Sequence, residues 1–513
     1  MGFPLTGVDP ADPVPGIIRE IKYAQGVSSA SGKTRSVVLV GNKTAAGTES
    51  TDKLGAVITG EDDAVERFGS NSELCLMFKS YVKVDPNAAV YAVAAPEGNG
   101  TAQVKFTFTG TASASTAVKI ECIGDTLTVP VAQGDTATQV GDAVAAALAN
   151  KSDWPIDFTT VAAAMGVVTI DAANSGVRHE HALFQIRMSM TKSATTAVTR
   201  SANTGATTDD DHGSAIAEIA SGEFFYQVSP KTPDTWNNNA PAPSATDGGI
   251  GEHIAMVQEQ SGPAFGKGQL VFFPMVGSAA QATSVATGSA ANSVLAAFWH
   301  APSCDWAPGM LSAHCTAVKR SKEVAHPGAN LTDYGLGSGD VFQVPAPASA
   351  SDKLSKSEVR QDLNNGITPI DWKPNGQAFI VRQITSRSLN GTVNDYRARE
   401  GHIPSAINYY WEQLFTRYFT SKQEFIADNP GEGEVPLANT TYPQDLKAIH
   451  RSLVNDLINF PGGPVLDPSH ADAMIDSFEC VRLADGLSCR SKPISVKHNN
   501  KAQFLIEESS EAY

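Results

Sequence analysis

The hexapeptide SASGKT, Ser29–Thr34, ends in the Gly-Lys-Thr that closes a phosphate-binding loop. Such a loop needs a second glycine five positions before the Gly of Gly-Lys, so that successive backbone amides cradle phosphate. That position holds Val27, and Gly26 lies one residue too early. The segment also leads into a strand, whereas the phosphate loop follows a strand and opens a helix. It is therefore read as no nucleotide site. His179-Glu180-His181 is the densest metal-ligand candidate, because alternating histidines on a strand project to one side. No third and fourth ligand stand at convincing spacing, so it reads as a solvated turn. Cys304, His314, Cys315 and His326, near Trp306, match no zinc spacing. Asp209-Asp210-Asp211-His212 lacks the alternating ligands and central glycine of a calcium loop and reads as a polar linker before a helix. No GxSxG nucleophile elbow and no HExxH occur, and the pairs Asp62-Asp63 and Glu507-Glu508 read as surface charge. The expectation is a chain with no catalytic, cofactor-binding or metal residues, and not an enzyme.

Composition narrows the class further. The chain has 513 residues, room for two to four domains, with 38 basic against 54 acidic side chains and a net charge of −16. A net negative surface without a Lys/Arg cluster excludes nucleic acid and anionic membrane as natural partners. No apolar run of about 18 residues marks a membrane span. The opening MGFPLTGVDPADPVPG lacks the basic start and apolar middle of a signal peptide, so no general secretory export is expected. The six cysteines, at 75, 122, 304, 315, 480 and 489, contain no CxxC pair. Cys304/Cys315 and Cys480/Cys489 could pair or bind metal, but without a secretory signal the expectation is free thiols.

The elements that would position these residues divide the chain into five stretches. Residues 1–25 carry Pro4, Pro10, Pro13 and Pro15 and read as an extended arm, with a weak strand at Gly16–Ala24 placing Ile17, Ile21 and Tyr23 on one face. Residues 26–98 open a core domain: a buried strand at Ser36–Gly41, a helix over Glu61–Val84, and a buried strand at Ala89–Ala95. Strand, helix, strand predicts a parallel sheet covered by helices. Residues 99–205, rich in Thr, Ala and Val, read as an inserted β-rich domain. Its strands are expected at Ala102–Thr109, Ala117–Ile123, Thr126–Val131, Ile156–Val161 and Val167–Asp171, with a helix to Asn150 capped by Asp135. Insertion through polar loops places such a unit on the outer surface. Residues 206–495 return to the core, with strands at Glu223–Ser229, Gly268–Gly277 and Gln377–Ser388 and helices at Ile250–Ser261 and Ala291–Trp299. Two amphipathic helices follow: one through Ile403, Ile407, Tyr410, Trp411, Leu414 and Tyr418, the other capped by Thr441 with Gln444. Residues 496–513 form a C-terminal arm with a strand at Gln503–Glu507. The fold class is α/β, or α+β overall: a parallel or mixed sheet flanked by helices, with a β-rich insert and two arms.

In order along the chain, VPGIIREI, SGKTRSVVLVGNKTAAGT and EDDAVERFGSNSELCLMFKSYVKVDPNAAVYAV resemble the start of the Mu-like contractile phage tail sheath proteins. GTAQVKFTFTGTA, VPVAQGDTATQVGDAVAAALAN and GVVTIDA are similar to that family's inserted domain, and AFIVRQITSRS, INYYWEQLFTRYF and the final QFLI keep its order. The likeness spans nearly the whole chain; Pro302–Tyr334 and the segment holding Cys480, Cys489 and His498–Asn500 depart from it. The resemblance implies a structural virion protein that stacks as six-fold rings or a six-start helix around an inner tail tube. Its arms would add strands to neighbouring subunits, and rigid-body rotation would shorten the sheath and drive the tube through the host envelope without nucleotide. The implied partners are other copies of itself, a tail tube protein, and baseplate and tail terminator proteins, with assembly in the host cytoplasm. The residues assigned to inter-subunit strand exchange are Ile17, Ile18, Ile21, Tyr23, Gln503, Phe504, Leu505 and Ile506. Three alternatives stand beside it. One is the sheath of a bacteriocin or secretion apparatus. Another is an α/β enzyme, marked by polar side chains gathered at the carboxyl ends of the parallel strands. The last is a carbohydrate-binding surface protein.

Overall fold

The computed structural model describes residues 35–490, except 123–124, 152–153, 155–157, 180–185, 191–196, 202–204, 207, 209, 223, 233–248, 262–267, 280–294, 337–343, 348, 388, 391–392, 395–399, 422–424, 432–434, 439 and 484–485. Within it, β1 (Val37–Asn42), α1 (Glu61–Phe68), α2 (Glu73–Val82) and β2 (Val90–Ala95) come first. The single helix expected over 61–84 is two, because Gly69 and Asn71 adopt positive φ and turn the chain between them. Ser72 then caps α2 by accepting from the Cys75 amide.

The insert comprises β3 (Thr101–Thr109), β4 (Thr116–Cys122), β5 (Asp125–Val131), α3 (Ala137–Ala149), β6 (Phe158–Ala164), β7 (Val167–Ser175), β8 (Arg187–Met190) and β9 (Ala197–Arg200). They form two antiparallel sheets, in the orders β6-β7-β3-β9 and β5-β4-β8. Alternating residues of β3 and β7 point inward, so Val104, Phe106, Val168 and Ile170 meet Val140, Val144 and Leu148 of α3 in a core of their own. The helix is not capped by Asp135. Thr136 accepts from the Gln139 amide while Gln139 reaches back to the Thr136 amide, and Asp135 instead tightens the preceding turn through the Ala132 amide.

The main body continues with α4 (Gly213–Ser221), β10 (Tyr226–Val228), α5 (Ile250–Gln260), β11 (Leu270–Met275), β12 (Ala296–His300) and α6 (Pro308–Ala325). Then come β13 (Tyr334–Gly335), α7 (Lys356–Asn364), β14 (Thr368–Trp372), β15 (Ala378–Ile380), α8 (His402–Ser421), α9 (Pro443–Ile458) and α10 (Ala471–Asp476). One sheet runs β13-β15-β14-β12-β11-β10-β1-β2, parallel from β2 through β14 and antiparallel at β15 and β13. The fold is thus mixed α/β, a mixed sheet flanked by helices.

Period-two alternation sorts the two faces. Phe272 stacks on Trp299 and lies beside Tyr226 under α6, while Phe273 stacks on Phe298 and lies beside His253 of α5. Rings this large contribute roughly 1.5–3 kcal/mol each when fully buried. α6 is buried along most of its length and crosses α2 closely because residue 309 is glycine. A Cβ there would stand 2.8 Å from the Met77 sulfur.

Three further expectations are corrected. Of the helix expected at Ala291–Trp299, the described residues are a turn at Leu295 and strand β12 from Ala296, because a short apolar run cannot by periodicity distinguish a buried strand from a buried helix. Of Gln377–Ser388, the described residues form a strand at Ala378–Ile380 and add one isolated bridge, Ile384 to Glu400. The cap of α9 is Asp445 accepting from the Tyr442 amide, not the Thr441–Gln444 pair; Thr441 is in a short ladder with Phe425–Ile426.

The cap correction is testable. Thr136→Ala should lower the stability of the insert by about 1 kcal/mol in urea unfolding, and Asp135→Ala by clearly less. Equal losses would return the cap to Asp135.

Candidate functional site

β1 ends in Gly41-Asn42, a glycine and an amide closing an otherwise apolar buried strand. Glu73, the first residue of α2, comes up beneath it, and its Oε2 accepts from the Asn42 amide at 3.0 Å. Residue 41 must be small: a Cβ there would lie 2.9 Å from that carboxylate oxygen and 3.3 Å from the Met77 sulfur. From the insert, the turn after β7 carries Arg178, whose guanidinium forks onto Glu73 through Nε–Oε1 at 2.9 Å and Nη2–Oε2 at 2.7 Å. The same guanidinium donates to Asn42 Oδ1 at 3.0 Å and to Asp210, on the segment that returns from the insert.

Asp210 also accepts from Lys231, just past β10, at 2.8 Å and from His212 Nε2 at 2.6 Å. The chain of bonds continues from His212 Nδ1 to His253 Nε2 at 3.0 Å, and from His253 Nδ1 to Gln227 Nε2 at 2.5 Å. A carboxylate only accepts, so His212 carries its proton on Nε2 and accepts on Nδ1. His253 must then donate from Nε2 and accept the Gln227 amide on Nδ1. The arrangement balances two carboxylates against two cations, with both imidazoles neutral.

Asn42, Glu73, Arg178, His179, Asp210, His212, Gln227, Lys231 and His253 are each 5% exposed or less. Burial pushes the Asp210 carboxyl up, but Arg178 and Lys231 outweigh it and hold it well below the usual carboxylate range. Glu73 is lowered in the same way, burial being overcome mainly by Arg178. Burial pushes His212 and His253 down, helped at His253 by His212 and Lys231.

This cluster sits at the carboxyl ends of parallel strands β1 and β10, the place where open α/β sheets bind ligands. Its polar atoms are turned on one another and shut away from solvent, so what it does is hold elements together. It joins α2, β1, β10 and α5 to both the exit turn and the return segment of the insert, whose apolar core is separate from that of the main body. Two sequence expectations change accordingly. His179 is not in a solvated turn: it is buried and its Nε2 lies 2.9 Å from Asn42 Oδ1, while Glu180 and His181 fall outside the described residues. Asp210 and His212 do lie on a polar segment before a helix, α4, but they are buried and form the centre of the network. Arg178, Glu73, Lys231 and His253 went unremarked in the sequence; the available signal was a polar pair, Gly41-Asn42, closing a wholly apolar strand.

A second buried network lies at the opposite, amino end of the sheet. Arg35, the first described residue, places its guanidinium over Phe225 at 5.2 Å and Tyr409 at 5.8 Å, and 3.6 Å from Glu323 of α6. Arg320 donates to the Arg35 carbonyl at 2.5 Å and to Asp85 at 2.6 Å. Tyr226 donates to Glu323, which also accepts from Lys319 at 2.5 Å. His314 is buried against Trp306, and its pKa is pushed down to about 4 by burial. His326 lies apart, 2.9 Å from the Gly463 carbonyl, so the structure does not gather Cys304, His314, Cys315 and His326 into one set. No group of three or more His, Cys, Asp or Glu among the described residues is arranged to hold a metal.

The main sheet and the C-terminal hairpin differ in how their edges are covered. The outer side of β2 is covered by residues 51–58, through Asp52 N to Ala94 O at 2.8 Å and Ile58 N to Val90 O at 2.9 Å. By contrast β16 (Glu479–Leu483) and β17 (Gly486–Arg490) form a two-stranded antiparallel hairpin, with no third strand beside it among the described residues. It is docked at its root, where Phe478 stacks on His450 of α9 at 4.4 Å. The strand-exchange residues Ile17, Ile18, Ile21, Tyr23, Gln503, Phe504, Leu505 and Ile506 lie outside the described residues.

No protein-family model matches the chain, and no curated protein matches it. Among solved structures it is similar to a sheath tail protein from Listeria innocua, at 11% identity over 92% of this chain and 97% of that one, with a TM-score of 0.44. A sheath tail protein from Desulfitobacterium hafniense gives 11% identity, 91% and 93% coverage and a TM-score of 0.45. A chain of the anti-feeding prophage baseplate gives 11%, 98%, 99% and 0.46. At that identity and TM-score none of the three decides what this chain does.

Two expectations follow from the Arg178 network. Arg178→Met leaves the buried Glu73 carboxylate without its cation and takes one of two cations from Asp210, and should lower stability by about 3–5 kcal/mol in urea unfolding. A loss below about 1 kcal/mol would mean that the network does not hold the insert to the body. Acid should weaken the same joint. An unfolded histidine titrates near 6.5, and His212 and His253 titrate lower in the fold, so the unfolded chain binds protons first as pH falls. Stability is therefore full above about pH 7 and declines below 6.5, by at most about 1.4 kcal/mol per pH unit for each group. Loss of the Glu73 and Asp210 share comes later, below the usual carboxylate range. His253→Gln should flatten the decline between pH 7 and 5 in urea titrations; an unchanged slope would exclude His253 as its source.

Proposed function

We propose that the chain is a structural subunit of a contractile tail sheath, assembling with copies of itself around an inner tube and joined to neighbours through its two ends. The observation that carries this reading is the hairpin β16/β17. A two-stranded ladder leaves a row of N–H and C=O groups open on each outer edge and is marginal alone. It stands where the chain passes into residues 491–513, and the segments Ile17–Tyr23 and Gln503–Ile506, read as strands, suit such edges in a neighbouring copy. The covered edge of β2 leaves the main sheet no comparable template on that side.

The root of the N-terminal arm supports the same reading. Residues 1–25 as an arm would pull on the chain just before Arg35, and Arg35 is fixed by its carbonyl to Arg320 and by its side chain to Glu323 and two aromatic rings. Load on the arm would pass into α6 and the sheet rather than unravel β1. A body built this way suits contraction by rigid rotation, with residues 99–205 as an outer domain and residues 496–513 as the second arm. Copies would stack as six-fold rings or a six-start helix on a tail tube protein, bounded by baseplate and tail terminator proteins, in a virion tail assembled in the host cytoplasm. The polar cluster at the carboxyl ends of the strands, which an α/β enzyme would use, is solvent-excluded and favours a structural role.

Deletion of residues 1–24 should leave a folded, soluble monomer by size-exclusion chromatography that forms no tubes. Normal tubes from that truncation would remove the arm from the mechanism.

A further inference from the structure

The register of the hairpin sets Cys480 directly opposite Cys489. Facing residues of an antiparallel ladder alternate between pairs that exchange two hydrogen bonds and pairs that exchange none. Leu483 and Gly486 are separated by only two residues and so close the hairpin as a bonded pair. Counting back, Arg482–Leu487 is non-bonded, Val481–Ser488 bonded, and Cys480–Cys489 non-bonded. Non-bonded partners have Cα atoms about 4.5 Å apart and the closest Cβ atoms in the ladder. That separation falls inside the roughly 4.4–6.8 Å that a disulfide spans.

The other described cysteines are set apart from such chemistry. Cys75, Cys122, Cys304 and Cys315 are buried in the two apolar cores. Burial pushes their thiols up, that of Cys304 to about 12, and a thiol without thiolate neither attacks nor exchanges readily. Cys480 is only partly buried.

We propose that Cys480 and Cys489 form a reversible disulfide that clips the two strands of the hairpin together, with a low-molecular-weight disulfide as oxidant. The thiolate of one cysteine attacks a sulfur of the oxidant, displacing one small thiolate and forming a mixed disulfide. The thiolate of the other attacks the protein sulfur of that intermediate and displaces the second small thiolate. Two protein thiols are oxidised, one small disulfide is reduced to two thiols, and the two protons released pass to the two leaving thiolates. The clip ties the strands through side chains, so register is fixed while the outer-edge backbone groups stay available. It holds whether or not those edges receive strands from a neighbour.

The test uses the full-length native protein treated with oxidised glutathione, blocked with N-ethylmaleimide and digested with trypsin. Cleavage after Arg482 separates the two cysteines, so the disulfide appears as a linked peptide pair in mass spectrometry. The pair should be abundant in the oxidised wild type, vanish on reduction and be absent from Cys480→Ser, where Cys489 instead carries glutathione. Hydrogen exchange at Val481, Leu483, Gly486 and Ser488, the bonded pairs of the ladder, should slow several-fold on oxidation. Separate glutathione adducts on both cysteines of the wild type, or linkage only in denaturant, would overturn the proposal.

Discussion

The architecture turns on one buried guanidinium. Arg178 comes from the insert, and its five donors can be satisfied inside the protein only if Glu73, Asn42 and Asp210 arrive together. Glu73 fixes where α2 begins, Asn42 where β1 ends, and Asp210 where the chain re-enters the main body. Since the insert and the main body keep separate apolar cores, this polar joint takes the place of shared hydrophobic packing. A buried ion network adds less net stability than its contacts suggest, but breaking it is severe, and that asymmetry makes it a registration device.

The amino end of the same sheet is secured by a matching set, Arg35, Glu323, Lys319, Arg320 and Asp85. Between the two networks run the parallel strands with aromatic pairs on both faces. The hairpin after α10 is a separate two-stranded ladder, with no third strand beside it among the described residues.

The strands of the main sheet were readable because SVVLVG, AVYAVAA and GQLVFFPMVG are continuous apolar runs ending in glycine or alanine. The insert was readable from its alternation, Val104, Phe106 and Phe108 inward against threonines outward. Legibility failed where burial is total: β12 reads equally as helix, and α6, buried along most of its length, shows no amphipathic stripe. The joint was hidden for another reason. Arg178 and Glu73 are 105 positions apart, and each alone looks like ordinary surface charge. His179 reads as part of a solvated turn and Asp210 as part of a polar linker, because charged residues next to an insert boundary usually face water. Only the fold could supply their partners.

The account rests on neighbouring copies pairing with the hairpin, and a density map of the assembled particle tests that most directly. Full-length protein, alone and with its tube protein, would be imaged by electron cryomicroscopy. The account predicts hollow tubes or stacked rings in which Glu479–Arg490 is continued on its outer edges by strands from other subunits. Assemblies that leave those edges solvent-exposed, or no assembly even on the tube, would contradict it.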